Sequence, residues 1–495
     1  MKKIFTTVIM ACVLAVSAKA VTVSEASGVY QGNLNIGGTS YSNKEVYVLP
    51  GTGGSFTTLI VPSVAFSSKC ADLVLVDMVL NNNGTLSSGC AATYVKSISA
   101  SSLSESSMSF TMSLTTPSHP VSVTMTFDGE KVTKRNYELK NGGFEGDWSN
   151  GEPSKWHSFP TATGLFSGFV NGTDQISQST DVRPGTTGSH SVKIQTKITL
   201  GAKGNGNCTN GQINAGSKTA TDASGNYNFS DPSNTGYNTA FVGQPDSLVF
   251  WAKYIPGGGS VTDNSNKARA NAVITQNARY QDPETADYSE IKIAQAAINY
   301  SATASLGWQR ISVPFSYVTE NSDKEPAYIL TTFTTNKLQG GGTASKDHPD
   351  SVFLDDVELI YNNHLLSLTR GEEAITFDGE SYKINETYCD SCGIFEGVED
   401  GVSAESFFAY DALHKCVFVY VVADDYAQFG KYNVYRIDFT DTDAEGTSID
   451  PKEPEVQGIE ETITREARFE KVLINGQLFI RSNDAWYNAS GVRVK

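Results

Sequence analysis

The feature that most restricts this chain is a two-residue period. In "SMSFTMSLTT", Met108, Phe110, Met112 and Leu114 take every second position, and "VSVTMTFDG" repeats the pattern with Val121, Val123, Met125 and Phe127. Side chains of an extended strand point alternately to opposite faces, so such runs bury one face and wet the other. The "TPSHP" between them reads as a hairpin loop. Earlier runs, "GVYQGNLNI", "KEVYVLP", "FTTLIVPSVAF" and "ADLVLVDMVL", read as further strands. About eight short antiparallel strands in residues 21–136 predict a barrel or a sandwich.

The same grammar continues downstream. In residues 137–362, "SVKIQTKI", "DSLVFWAKYI", "ANAVITQNARY", "IKIAQAAINY", "WQRISVPFSYV", "AYILTTFTTN" and "DSVFLDDVELIY" are strands separated by Gly, Asn, Asp and Ser turns, which predicts a large β-sandwich. Trp251 and Trp308 sit in these strands and are expected in the core. Residues 201–240 interrupt the pattern with a long run rich in Gly, Asn and Ser, either a binding loop or a disordered one. Residues 363–440 form a smaller β unit, and the acidic, proline-containing stretch 441–463 reads as a solvated linker. Residues 464–495 read as a hairpin-like pair of strands with turns at Asn475-Gly476 and Asn483-Asp484. The expected fold class is all-β throughout.

Residues 1–20 have a basic start at Lys2 and Lys3, a short apolar stretch and a small-x-small end at Ala18-Lys19-Ala20. This is the pattern of a secretory signal peptide. No other run is long and apolar enough to span a membrane. The expected address is outside the cytoplasm, secreted or on the outer-membrane surface, with the periplasm as the alternative. The net charge is −17, and −20 without the three lysines of that segment. Such a balance argues against nucleic acid and anionic lipid as partners, because both are bound through lysine and arginine. Six cysteines follow the signal. Cys70 with Cys90 is the expected disulfide, and Cys389 and Cys392 are expected to be structural, one of them pairing with Cys416.

The chemistry centres on "NGGFEGDWSNGEPSKW", which starts the sandwich, and "VFLDDVEL", which ends it. First and last strands of a jelly roll lie side by side, which would bring Glu145 to Asp355 or Asp356. Carboxylates with backbone carbonyls suit a structural Ca²⁺, and glycines let the backbone turn its carbonyls inward. The competing readings are a strand end in solvent and carboxylates bonded to backbone amides. Trp148 and Trp156 in that loop either plug the sandwich or stack on sugar rings. Tyr227, Tyr237, Tyr280 and Tyr288 are the further loop candidates for substrate contact. For hydrolysis, "RYQDPETADYSE" offers Asp282 and Glu284, with a solvated acidic face as the alternative. The fingerprints G-x-S-x-G, H-E-x-x-H and P-loop are missing from the sequence, and its six histidines are scattered.

Three resemblances add to this. "ASGVYQGNLNI" and "ADLVLVDMVL" resemble strands of the calycin-like barrel domain of exported proteins from Gram-negative gut and oral bacteria. That implies a barrel holding a small apolar ligand or filled by its own side chains. "NGGFEGDW…PSKW" with "DSVFLDDVELIY", "SLVFWAKY" and "GWQRISVPFSY" resembles carbohydrate-binding jelly-roll modules, and more closely the "putative carbohydrate metabolism domain" of the same bacteria. The resemblance implies a Ca²⁺ joining Glu145 to Asp355 or Asp356. The ending "WYNASGVRVK" is similar to type IX secretion sorting signals. Together these lead to the expectation of non-catalytic glycan binding by aromatic stacking and hydrogen bonding. The alternatives are a glycoside hydrolase using loop carboxylates and lipid carriage by the N-terminal barrel.

Overall fold

The computed structural model describes residues 21–51, 54–64, 72–89, 95–116, 119–172, 175–199, 201–258, 266–377, 381–388, 395–411 and 414–439, and the backbone of three strands near the C-terminus. The expected signal segment, the linker and Cys70, Cys90, Cys389 and Cys392 lie outside the described residues. The chain divides into a large unit ending at Ile449 and a small one from Asp450. The fold is all-β.

The alternating runs become β1 (Gly28–Ile36), β2 (Thr39–Pro50), β3 (Phe56–Val61), β4 (Leu73–Leu80), β5 (Leu86–Ser88), β6 (Val95–Leu103), β7 (Ser107–Thr116) and β8 (His119–Lys131). They form one antiparallel sheet in the order β5-β4-β3-β2-β1-β8-β7-β6. The sheet curls until its edges meet. Ser101 Oγ accepts from Leu86 N at 2.7 Å, and Leu103 N donates to Gly84 O at 2.7 Å, which nearly closes the barrel. The inward phase, including Tyr30, Leu34, Val48, Leu59, Met78, Phe110 and Met125, is buried and fills the interior. Phe110 and Phe127 stack at 5.7 Å inside it.

One part of the outward phase is also apolar. Val29, Leu49, Ile60, Val74 and Val76 pack against Phe407, Ala409, Tyr420 and Val422 of the strands Glu405–Asp411 and Cys416–Val422. The barrel wall is therefore two-faced on this side, which explains why "LVLV" in β4 is continuously apolar rather than alternating. Tyr426 Oη ties the layers together by donating to Val48 O at 2.6 Å. Cys416 is a buried free thiol, as is Cys208, so the expected disulfide to Cys416 is not formed. Cys416 is packed into the apolar sheet, where burial pushes its pKa up to about 12.

Residues 176–360 build a sandwich of two five-stranded antiparallel sheets. One runs Ile176–Ser179, Ser191–Gln195, Ser351–Ile360, Ser247–Ile255, Gln309–Pro314. The other runs Asn207–Thr209, Tyr328–Thr334, Ala268–Thr275, Lys292–Tyr300, Ser316–Tyr317. Between them Ala268, Ala270 and Ala272 leave room for Phe250, Tyr254 and Phe333. Trp251 and Trp308 are not in this core. Trp251 is out of phase with Phe250, and lies half-buried on the outer face under the Arg183 guanidinium, 5.3 Å from its ring centre. Trp308 Nε1 donates to Asp181 Oδ1 at 3.0 Å.

The two ends of the sandwich do meet. A β-bulge on Ser351–Ile360, where Asp356 takes φ 44°, slips the register against Ser247–Ile255. It frees Val357 N to donate to Gly142 O at 2.9 Å. A Cβ on Gly142 would stand 1.9 Å from Val357 O. Gly142→Ala is expected to cost about 2–3 kcal/mol by forcing these backbones apart, a loss measurable by urea denaturation.

The C-terminal unit, described by itself, is an antiparallel meander of three strands, Phe469–Ile474, Gln477–Ser482 and Ala485–Asn488, rather than a single pair. Register pairs Ile474 with Gln477 and Ser482 with Ala485; the expected turn residues lie outside the described residues.

Candidate functional site

The second sheet of the sandwich has an unusual outer face. On Ala268–Thr275 the core phase is alanine and isoleucine, and the opposite phase carries Arg269 and Asn271. That face is not in solvent: Asn207, Thr209, Asn271 and Thr332 are all buried. Residues 201–240 cover it. Gln212–Ala215 pairs with Asn226–Ser230, which pairs in turn with Tyr280–Asp282, as a three-stranded cap over the sheet. Between cap and sheet lies a cavity of about 790 Å³.

Its walls are of two kinds. Phe159, Phe166, Phe169 and Tyr227 supply aromatic surface. Phe159 is set by a buried carboxylate: Glu152 accepts from Ser158 N at 2.6 Å and Thr161 Oγ1 at 3.0 Å. Phe166 and Phe169 sit on the short helix Ser167–Val170 and its N-terminal flank, and Phe169 is 57% exposed at the mouth. The polar wall holds Asn205, Asn207 and Asn228, whose Oδ1 atoms are buried and without a partner among the described residues. Buried amides normally find partners, so three orphaned acceptors among the residues of one cavity wall call for a donor, which water or a ligand hydroxyl supplies.

Deeper on that wall, Arg269 grips Asp282 through two hydrogen bonds of 2.7 Å. Burial works against the guanidinium charge, but the Asp282 bonds and charge outweigh it and raise the Arg269 pKa. Among the described residues lining the cavity, Asp282 is the one acid.

The expected site residues fall into three groups. Tyr227 and Asp282 line the cavity. Trp156, Tyr237, Tyr280 and Tyr288 are packing residues. Trp156 is fully buried against Phe144 and Phe333, its Nε1 donating to the Lys140 and Asn141 carbonyls. Its ring plugs the sandwich and cannot serve as a platform. Trp148 is half-buried against the same core. Tyr237 stacks on His157 at 4.5 Å. Tyr280 meets Tyr288 edge-on at 5.0 Å and donates to Glu284 Oε1 at 2.8 Å. Glu284 also pairs with Lys292 at 2.6 Å and is absent from the cavity wall.

Glu145, Asp355 and Asp356 form the third group. Glu145 accepts from Ser189 N and His190 N, both at 2.8 Å, and from Ser189 Oγ at 3.0 Å. Slight desolvation opposes these bonds, which prevail and hold its pKa low. Asp356 is paired with Arg183 Nε, and Asp355 accepts Arg183 N at 3.1 Å. Burial, with the neighbouring Asp356 charge, pushes Asp355 up to about 6. Among the described residues no group of three His, Cys, Asp or Glu side chains is disposed to hold a metal. As arranged, these carboxylates serve protein donors, with Arg183 supplying the positive charge.

No family model and no curated protein matches this chain. Among solved structures, one described as a "putative glycoside hydrolase" from Bacteroides thetaiotaomicron shares 15% identity at TM-score 0.32, over 58% of this chain and 93% of that one. The glycoside hydrolase domain of Endo-D from Streptococcus pneumoniae shares 11% at TM-score 0.19, over 54% of this chain and 36% of that one. Likenesses this weak carry no activity across, and function has to be read from the cavity.

The residues that sequence reasoning missed are Arg269, Asn205, Asn207, Asn228, Phe159, Phe166 and Phe169. One signal was available: "ARANAVIT" places Arg269 and Asn271 on the non-core phase, and the long ordered insertion 201–240 was there to cover it.

Proposed function

We propose that this is an exported glycan-binding protein whose saccharide site is the cavity beneath the 201–240 insertion. The observation that carries the reading is a cavity whose wall joins the aromatic rings of Phe159, Phe166, Phe169 and Tyr227 to the amide side chains of Asn205, Asn207 and Asn228, each with an amide oxygen unpartnered among the described residues. A sugar presents hydroxyls on its rim and flat C–H faces, which match amides and aromatic rings respectively. Binding is favoured over hydrolysis because glycosidases place two carboxyl groups across the scissile bond. Here the wall's acid is held in a bidentate pair by Arg269.

The test is a glycan array with the full chain, followed by titration of the retained saccharide. Phe169→Ala and Asn207→Leu are each expected to weaken it about tenfold, while Trp148→Ala leaves affinity unchanged. An array without a retained saccharide, or unaltered affinity in both cavity variants, refutes the proposal. Reducing sugar released from the bound glycan and lost in Asp282→Asn would establish hydrolysis instead.

A further inference from the structure

The cavity carries more hydrocarbon than a bare sugar can use. Beside its aromatic rings, the described wall holds Val170, Ile213, Ala215, Ala220, Ala223 and Leu338. Leu338 is 64% exposed, and Leu165, next to Phe166 of the aromatic wall, is 81% exposed. Single exposed leucines are ordinary, but Leu338 is not on a loose loop tip. Its carbonyl accepts from Asn205 Nδ2 at 2.9 Å, and its N–H donates to Asn336 Oδ1 at 3.0 Å. The neighbouring Gln339 Nε2 donates to Asn226 O of the cap at 2.7 Å. The turn is pinned from three directions while its apolar side chain borders the cavity. Asn205 is also one of the residues whose amide oxygen is unpartnered among the described residues. The amide wall and the apolar rim are therefore adjoining parts of one site.

From this we infer that the ligand is amphipathic, a saccharide bearing an apolar group such as an alkyl chain or an aryl ring; the inference rests on the glycan reading above. The sugar lies among Asn205, Asn207 and Asn228, and the hydrocarbon lies on the rim beside Leu338. Aliphatic side chains offer a pyranose ring no flat face, but they gain by covering hydrocarbon. A bare sugar would use the amides and aromatic rings and leave Leu338 in water. A plain hydrocarbon would cover Leu338 and bury the Asn oxygens without a donor. A glycoside with an apolar substituent satisfies both walls at once. The size agrees: about 790 Å³ lies within the roughly 300–1,000 Å³ of pockets that enclose most of a small ligand.

The test varies the apolar group on a constant sugar. Methyl, octyl and phenyl β-glycosides of glucose, galactose, N-acetylglucosamine and lactose are titrated into the full chain, the octyl forms below their micellar range. For at least one sugar, the octyl or the phenyl form is expected to bind about tenfold or more tighter than the methyl form. Which of the two gains more tells an alkyl chain from an aryl ring. Leu338→Ser with Leu165→Ser, both at exposed positions, should bring the three forms within about threefold of one another. Methyl-glycoside affinity and melting temperature should stay as they are. Equal binding of the three forms, or a preference that survives the double variant, overturns this inference and leaves the glycan proposal standing. Octyl tetraethylene glycol, which has the chain and lacks the sugar, overturns both if it binds as tightly as the octyl glycosides. Binding of no form overturns this inference, and the glycan proposal with it if the array is silent too.

Discussion

Replacing Arg269 with methionine is expected to destabilise the protein by about 3–5 kcal/mol and to abolish saccharide binding. Asp282 is 2% exposed and both its oxygens are bonded to the Arg269 fork at 2.7 Å. Removing the guanidinium leaves a buried carboxylate with its charge uncompensated, and that desolvation cost dominates the loss rather than the pair's own attraction. The distinction is measurable. The double variant Arg269→Met with Asp282→Leu removes charge and counter-charge together, and should recover most of the lost stability at pH 7. Binding should not return, because the polar floor of the cavity is gone. Urea denaturation of wild type, both single variants and the double gives the coupling directly. A single-variant loss under about 1 kcal/mol would show that water reaches Asp282 and that the pair does not organise the wall.

The same residue shows what was legible beforehand. The strands were, because alternation in runs such as "SMSFTMSLTT" has few interpretations. The two ends of the sandwich come together through the loop before its first strand, where Val357 N donates to Gly142 O; the expected pairing of first and last strands is not formed, because Ser191–Gln195 lies between Ile176–Ser179 and Ser351–Ile360. What the ends then do was hidden. The partners of Glu145 and Asp356 are Ser189, His190 and Arg183, from a connection between two strands that nothing in the sequence tied to either acid. Trp156 illustrates a different limit. A tryptophan among glycines has the same composition whether it plugs a sandwich or cradles a sugar, and only its contacts with Phe144, Phe333 and the Lys140 carbonyl decide. Arg269 and Asn271 occupy a phase that would ordinarily face solvent; both are covered, and Arg269 becomes part of a cavity wall, only because a distant insertion folds back over them. Long-range covering of this kind leaves no local pattern.

Stability is expected to fall as pH rises from about 5 to about 7.5, by roughly 2–4 kcal/mol. The cause lies within the large unit, where the sandwich meets the short helix Tyr426–Phe429 and the turn before it. There Glu138 accepts from Leu139 N and Leu359 N, and Asp424 accepts from Gln244 N. Tyr137 N, beside Glu138, donates to Gln428 Oε1 across the junction. Burial pushes Glu138 up to about 7, and Asp424 and Asp425 up to about 6. Asp355 at the bulge is raised to about 6, also chiefly by burial. Each of these folded-state values lies above the ordinary carboxylate value of about 4. Between the two values the folded protein holds protons that the unfolded chain has released, so stability is lost as pH climbs through 6 and 7. The total stays below the sum of separate shifts because the Asp425 charge is itself one of the causes at Asp424. Glu145 and Asp181 act in the opposite sense, being held low by their partners, and their contribution is lost below about pH 4. The melting temperature should therefore peak near pH 5, fall by several degrees by pH 7.5, and level off above it. Glu138→Gln keeps an acceptor for the Leu359 amide and removes the charge, so it should raise stability at pH 8 and flatten the slope. A melting temperature at pH 8 equal to or above that at pH 5 would mean that water solvates the junction, and that its carboxyls ionise without cost.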